Sequence, residues 1–118
     1  MKQILQITLT LLAMAAPALA HSPLKETVPA DNAKVSATPS AIKVMFKKPA
    51  RMTKVMIYKT SGEGTGKERM AISTKGFANE HVLQPTMAGS GDFKVEWRAL
   101  GQDGHVQSGA FSFTVNGN

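Results

Sequence analysis

The residues that could do chemistry in this chain are few. There are three histidines, His21, His81 and His105, eight carboxylates and no cysteine. No disulfide, thiolate metal site or thiol nucleophile can exist. There is no Gly-x-Ser-x-Gly turn, no His-Glu-x-x-His and no phosphate loop. What remains is nitrogen and oxygen chemistry. Asp103 and His105 flank Gly104. Side chains at i and i+2 of extended backbone lie on one side, ~6.5–7 Å apart at the Cα atoms. Glycine lets the backbone bend so that the two heads converge. An Asp-Gly pair alone is an ordinary turn signal; its weight comes from a second element at the other end of the chain.

That second element is His21. Residues 1–20 read as a secretory signal: Lys2 at the start, a largely apolar Ile4 to Ala16, then Pro17-Ala18-Leu19-Ala20 with the small residues of an A-x-A cleavage site. The apolar stretch is shorter than the ~20 residues of a spanning helix. Removing 20 of the 118 residues leaves 98, and His21 becomes the N-terminus. Its α-amine (ordinary pKa ~7.7–8.0) and imidazole (~6.5) both give up a proton to a metal near neutral pH. Amine, imidazole, the His105 ring and the Asp103 carboxylate make a set of three nitrogens and one oxygen. Tetragonal N,O coordination favours copper(II), which also heads the divalent affinity series; zinc could use the same atoms but prefers a tetrahedron. His81 has no such context and reads as a strand or surface histidine.

Soft ligands are the alternative. Thioethers select copper(I), and five methionines follow the signal: Met45, Met52, Met56, Met70 and Met87. Met52 and Met56 are ~13 Å apart at the Cα atoms on an extended strand. No dense Met-x-x-Met run occurs, and gap-filling in a core with 6 % aromatic residues is the simpler role. The formal charge is +6, and Lys43, Lys47, Lys48, Arg51, Lys54 and Lys59 crowd one third of the chain. Nucleic-acid binding would want exposed aromatics between them, and Tyr58 alone qualifies. Solubility, an acidic partner or a membrane surface explains the charge better.

The elements that must position these residues are strands. Apolar residues alternate in Ala41 to Phe46, Thr53 to Lys59, Phe93 to Ala99 and Ala110 to Val115. Leu24 to Val28, Arg69 to Thr74 and Glu80 to Pro85 are weaker candidates. Turns fall at Pro29 to Asn32, Thr38 to Ser40 and Ala88 to Asp92. A loop at Ser61 to Gly66 reads as a hairpin tip, and Gly101 to His105 joins the last two strong strands. No amphipathic helix competes. Seven short strands in one domain, residues 21–118, suggest a two-sheet sandwich or small Greek-key barrel.

The chain resembles the CopC/PcoC family of periplasmic copper-resistance proteins over essentially the whole of residues 21–118. The likeness is carried by His21-Ser22-Pro23-Leu24, Val28-Pro29-Ala30-Asp31, Ile42-Lys43-Val44-Met45-Phe46, and above all the tail: Phe93, Val95, Trp97, Asp103-Gly104-His105, Gly109 and Phe111-Ser112-Phe113-Thr114-Val115. The resemblance implies a seven-stranded Greek-key β-barrel, also described as an immunoglobulin-like β-sandwich. It implies a copper(II) site at one end with His21, Asp103 and His105 as ligands, and no catalysis. The family's copper(I) site is a methionine-rich loop, which this sequence lacks.

The expected role is a monomeric periplasmic protein that sequesters copper(II) or delivers it to an inner-membrane copper transport protein, with no nucleic acid among its partners. Trp97 is expected in the core. Two rival readings are a small copper monooxygenase with an N-terminal histidine brace and a metal-free binding sandwich.

Overall fold

The computed structural model describes residues 22–62 and 64–117. Residues 1–20, read from the sequence as a signal, and His21 lie outside them. The described chain is all strand and turn: β1 (Leu24–Val28), β2 (Ala33–Val35), β3 (Ile42–Lys59), β4 (Gly66–Arg69), β5 (Ala71–Ile72), β6 (Ala78–Gln84), β7 (Gly91–Gly101) and β8 (Val106–Val115). The hairpin tip after Lys59 and the turn before Val106 fall where turn chemistry placed them.

Strand β3 organises the molecule. Its first half lies between β1 and β6, and its second half between β4 and β7. Ala50 pairs with both Ala78 of β6 and Gly101 of β7, so the strand passes from one sheet to the other at a point lined by small residues. One sheet is β1-β3-β6-β5 and the other β4-β3-β7-β8-β2, with β2 parallel to β8. Strands that change sheet do so through bulges and bends. Here Phe46 to Pro49 have no register partner on β6, and Asn79 Nδ2 donates to the Phe46 carbonyl across the gap (3.2 Å). The result is an all-β, immunoglobulin-like sandwich.

A second irregularity preserves the core. Ile42, Val44, Phe46, Ala50 and Met52 point inward at even numbers, but Val55 and Ile57 do so at odd numbers. The register shifts between Met52 and Lys54, leaving Thr53 unpaired opposite β7. One extra residue flips every later side chain to the other face. Without it, Lys54, Met56 and Tyr58 would point into the core. The strands read separately as Ala41 to Phe46 and Thr53 to Lys59 are therefore one strand with two breaks in its pairing. The weak Arg69 to Thr74 candidate divides into β4 and β5, and β2 had no sequence signal, so the strands number eight among the described residues.

The two sheets meet where Phe46 packs edge-on against Trp97 (ring centroids 5.3 Å apart, 85° between planes), and within the second sheet Phe93 stacks on its cross-strand partner Phe113 (5.2 Å). Trp97 is 3 % exposed, a core residue as expected. Gly109, its partner on β8, makes room for it: a Cβ there would lie 2.7 Å from Trp97 Cζ2. Each fully buried Val, Ile, Leu or Phe contributes roughly 1.5–3 kcal/mol.

Candidate metal centre

The β7–β8 connection builds the Asp103–His105 pair. Gly104 donates its N–H to the Gly101 carbonyl (3.0 Å), and Gly101 donates to the His105 carbonyl (2.9 Å). Gly104 has φ +86°, a left-handed conformation that glycine adopts without strain. Asp103 then folds onto its own turn. Its Oδ1 accepts the His105 backbone N–H (3.0 Å) and its Oδ2 lies 2.9 Å from His105 Nδ1. Such Asp bonds to backbone two residues ahead stabilise turns. Gly101 leaves the space for this, since a Cβ there would come within 2.8 Å of Asp103 Oδ1.

A carboxylate only accepts, so His105 Nδ1 carries the proton and Nε2 is the ring nitrogen left for an incoming ion. Carboxylate-oriented histidines of this kind are standard metal ligands. Each Asp103 oxygen keeps a second lone pair. The pair is exposed, with side chains 82 % and 66 % accessible for His105 and Asp103. The side-chain bond to His105, and after it the backbone bond, hold the Asp103 carboxyl below its ordinary value. The same side-chain bond, with the carboxylate's charge, raises the His105 imidazole above its own.

The start of the described chain comes to the same place. The Pro23 carbonyl accepts the Lys47 N–H (2.9 Å), which pins the segment entering β1 to the bend of β3. A cleft of about 570 Å³ results, lined by Ser22, Pro23, Lys47, Pro49, Asp103 and Gln107 among others. Ser22 directly follows His21. This bend, with Lys47 and Lys48 on the wall, was not legible as part of the site. Its only sequence signal is Pro49 inside a strand pattern, which marks an edge or a bulge.

His81 belongs to another part of the molecule. It is fully buried on β6. Nε2 lies 2.7 Å from the Ala50 carbonyl and 3.1 Å from that of Ala78, and Nδ1 lies 3.3 Å from that of Thr74. Phe46 meets its ring edge-on at 5.7 Å. His81 therefore ties the point where β3 changes sheet. The methionines are scattered. Met52 and Met70 are in the core with Met87 packed against it, while Met45 and Met56 lie half-buried on the outer faces of different sheets. Among the described residues, no three His, Asp or Glu side chains form a cluster that could hold an ion by themselves.

The fold and the Asp-Gly-His loop define a small β-sandwich with an exposed carboxylate–imidazole pair on one hairpin end. The CopC domain profile matches residues 24–116, and the chain belongs to the CopC family. The family consists of copper-binding resistance proteins rather than enzymes. Among solved structures, the chain is similar to CopC from Methylosinus trichosporium OB3b, with 24 % identity over 83 % of this chain and 96 % of that one and a TM-score of 0.68. It is also similar to PcoC, a methionine-rich copper resistance protein from Escherichia coli, with 24 % identity over 81 % of this chain and 99 % of that one and a TM-score of 0.61. No curated protein sequence matches it.

Proposed function

We propose that the chain is exported, loses residues 1–20, and serves in the periplasm as a monomeric copper(II)-binding protein that sequesters the ion or passes it to an inner-membrane copper transport protein. His21 binds through its α-amine and ring, His105 through Nε2, and Asp103 through a carboxylate oxygen that also offsets the ion's charge. The observation that carries this reading is the shared cleft: Ser22, the residue after His21, and Asp103 line the same depression. A donor set of nitrogen and oxygen suits the oxidised ion. The separated methionines offer no soft cluster for copper(I).

The test is a copper(II) titration of the chain beginning at His21, followed by electron paramagnetic resonance. A tetragonal spectrum with about three nitrogen donors at one ion per chain is expected. A chain carrying one extra residue before His21 loses the amine–imidazole chelate and binds much more weakly. Equal binding by the extended chain refutes the proposal.

A further inference from the structure

The charge of this protein is sorted by face. After removal of the export segment, thirteen bases stand against eight acids. In sequence the bases crowd Lys43 to Lys59, but folding separates them. Lys59 is buried, with Nζ donating to the Ala88 carbonyl (2.9 Å) and sitting over the Phe93 ring. The outer face of the β1-β3-β6 sheet is close to balance: Lys25, Lys43 and Lys47 against Glu26 and Glu80, with Lys43 paired to Glu80 (3.7 Å).

The outer face of the β4-β3-β7 sheet is not. The Thr53 bulge turns Lys54, Met56 and Tyr58 outward beside Arg98, Glu96 and Lys94 of β7, while Arg69 and Lys67 of β4 flank Met56 and Tyr58 on the other side. Arg51 lies at the end of the same face, next to Leu100. Among the described residues six bases thus stand against two acids: Glu96, whose ion pair takes up Lys94 alone (3.4 Å), and Asp92 at the far end of β7, which is bonded to Ser61 and Thr114. Lys54 and Arg98 face each other across the strands, an arrangement that costs stability. At the centre, half-buried Met56 and Tyr58 border a depression of about 400 Å³ that reaches Gly109 and Ala110.

We infer that this face is a docking surface for an acidic protein segment. A concave centre lined by Met56, Tyr58, Gly109 and Ala110 together with Lys54, Glu96 and Arg98, within further Arg and Lys, has the mixed anatomy of a protein interface. A bilayer would be met by protruding apolar side chains, whereas Met56 and Tyr58 are half-buried and line a depression. The rim attracts the partner, as rim charges set encounter and orientation, and the depression takes one apolar side chain from it. The face runs to the β7–β8 turn, so the docked partner sits beside Asp103 and His105. The interaction needs no metal, so it stands or falls apart from the copper proposal.

The test uses the metal-free chain beginning at His21 and a short synthetic peptide rich in Asp and Glu with one central Leu. Backbone amide shifts should move at residues 51–58, 67–69, 94–98 and 108–112, and the binding should weaken as salt rises. K54E/R98E should weaken the peptide's affinity at least about tenfold, whereas K25E/K43E, with the same change in net charge on the opposite sheet, should leave it within about twofold. If K54E/R98E does not fold, K54Q/R98Q makes the same comparison against K25Q/K43Q. Equal losses for both pairs would reduce the effect to net charge and overturn the inference. So would absence of peptide binding, or binding to phosphatidylglycerol vesicles without binding to the peptide.

Discussion

The ring of His81 meets three backbone carbonyls and the edge of Phe46, whereas the ring of His105 meets one carboxylate and solvent. Both belong to the same sandwich, His81 on β6 and His105 in the turn before β8. Both nitrogens of His81 are enclosed by the carbonyls of Ala50, Ala78 and Thr74, and the ring so holds the place where β3 leaves one sheet for the other. His105 spends one nitrogen on Asp103 and keeps the other. The difference teaches that a histidine becomes a metal ligand through what leaves a nitrogen unoccupied and reachable, and that the occupied histidine is the one the fold depends on.

The largest effect should come from breaking the buried member of the pair. His81→Ala removes a fully buried ring together with the N–H it turns toward the surrounding carbonyls, a combination worth about 2–4 kcal/mol of stability. Denaturant unfolding should show the loss. Copper(II) bound per folded molecule should stay the same, because the β7–β8 turn is closed by its own hydrogen bonds. A loss of copper binding in the folded fraction would show that the two regions are not independent.

His105→Ala should do the reverse. An exposed ring that touches only Asp103 holds up little of the fold, so the unfolding midpoint should barely move. Copper(II) affinity, measured by competition with a chelator, should drop by at least about a hundredfold if Nε2 is a ligand, above the range typical of an outer-shell change. A drop without loss of fold, set against a loss of fold without a drop in His81→Ala, is the contrast in its strongest form.

How much of this was legible follows the same division. The loop was readable because its signals are local: Asp-Gly marks a turn, and i and i+2 side chains share a side whether or not a sheet surrounds them. The core faces of Phe93 to Ala99 and Ala110 to Val115 were readable because strict alternation has one meaning. What stayed hidden depends on distant pairing. The parity change at Thr53, the single long β3 and the bend at Lys47 to Pro49 are set by which strands lie alongside. His81 was undecidable for this reason, since its partners are carbonyls from residues 74, 78 and 50 and any sequence can supply a carbonyl. The crowded bases between Lys43 and Lys59 read as one patch, yet the sheet change and the bulge send Lys43, Lys54 and Lys59 to three different environments.

A smaller effect sharpens the loop side of the comparison. Gly101→Ala places a Cβ within 2.8 Å of Asp103 Oδ1. The other neighbours sit at ordinary contact distance, so the carboxylate is what must swing away. The His105 N–H loses its acceptor while the ring itself remains. Copper(II) affinity should fall by less than about tenfold, with the β7–β8 pairing preserved in amide exchange. A fall as large as that of His105→Ala would mean that the orientation of the pair matters as much as the nitrogen.

The smallest and most diagnostic change is Asp103→Asn, because it separates two roles of one carboxylate. In the metal-free chain the Asp103 bond raises the His105 imidazole above its ordinary 6.5 and lowers the Asp103 carboxyl below its ordinary 3.8. A raised histidine stabilises the fold fully below its unfolded value and loses that contribution as pH rises through the folded one. A lowered carboxyl contributes above its unfolded value and loses it as pH falls through the folded one. The pair's contribution is therefore complete only between these two ordinary values, and exposure keeps it small. The Asp103→Asn substitution should bring the His105 midpoint, followed by imidazole proton shifts, back down toward its ordinary value. Copper(II) then decides the rest. If Asp103 acted only through the hydrogen bond, its loss would matter little well above the His105 titration, where no proton competes for Nε2. If it also gives an oxygen to the ion, the substituted chain binds more weakly at every pH, and that is the expected outcome.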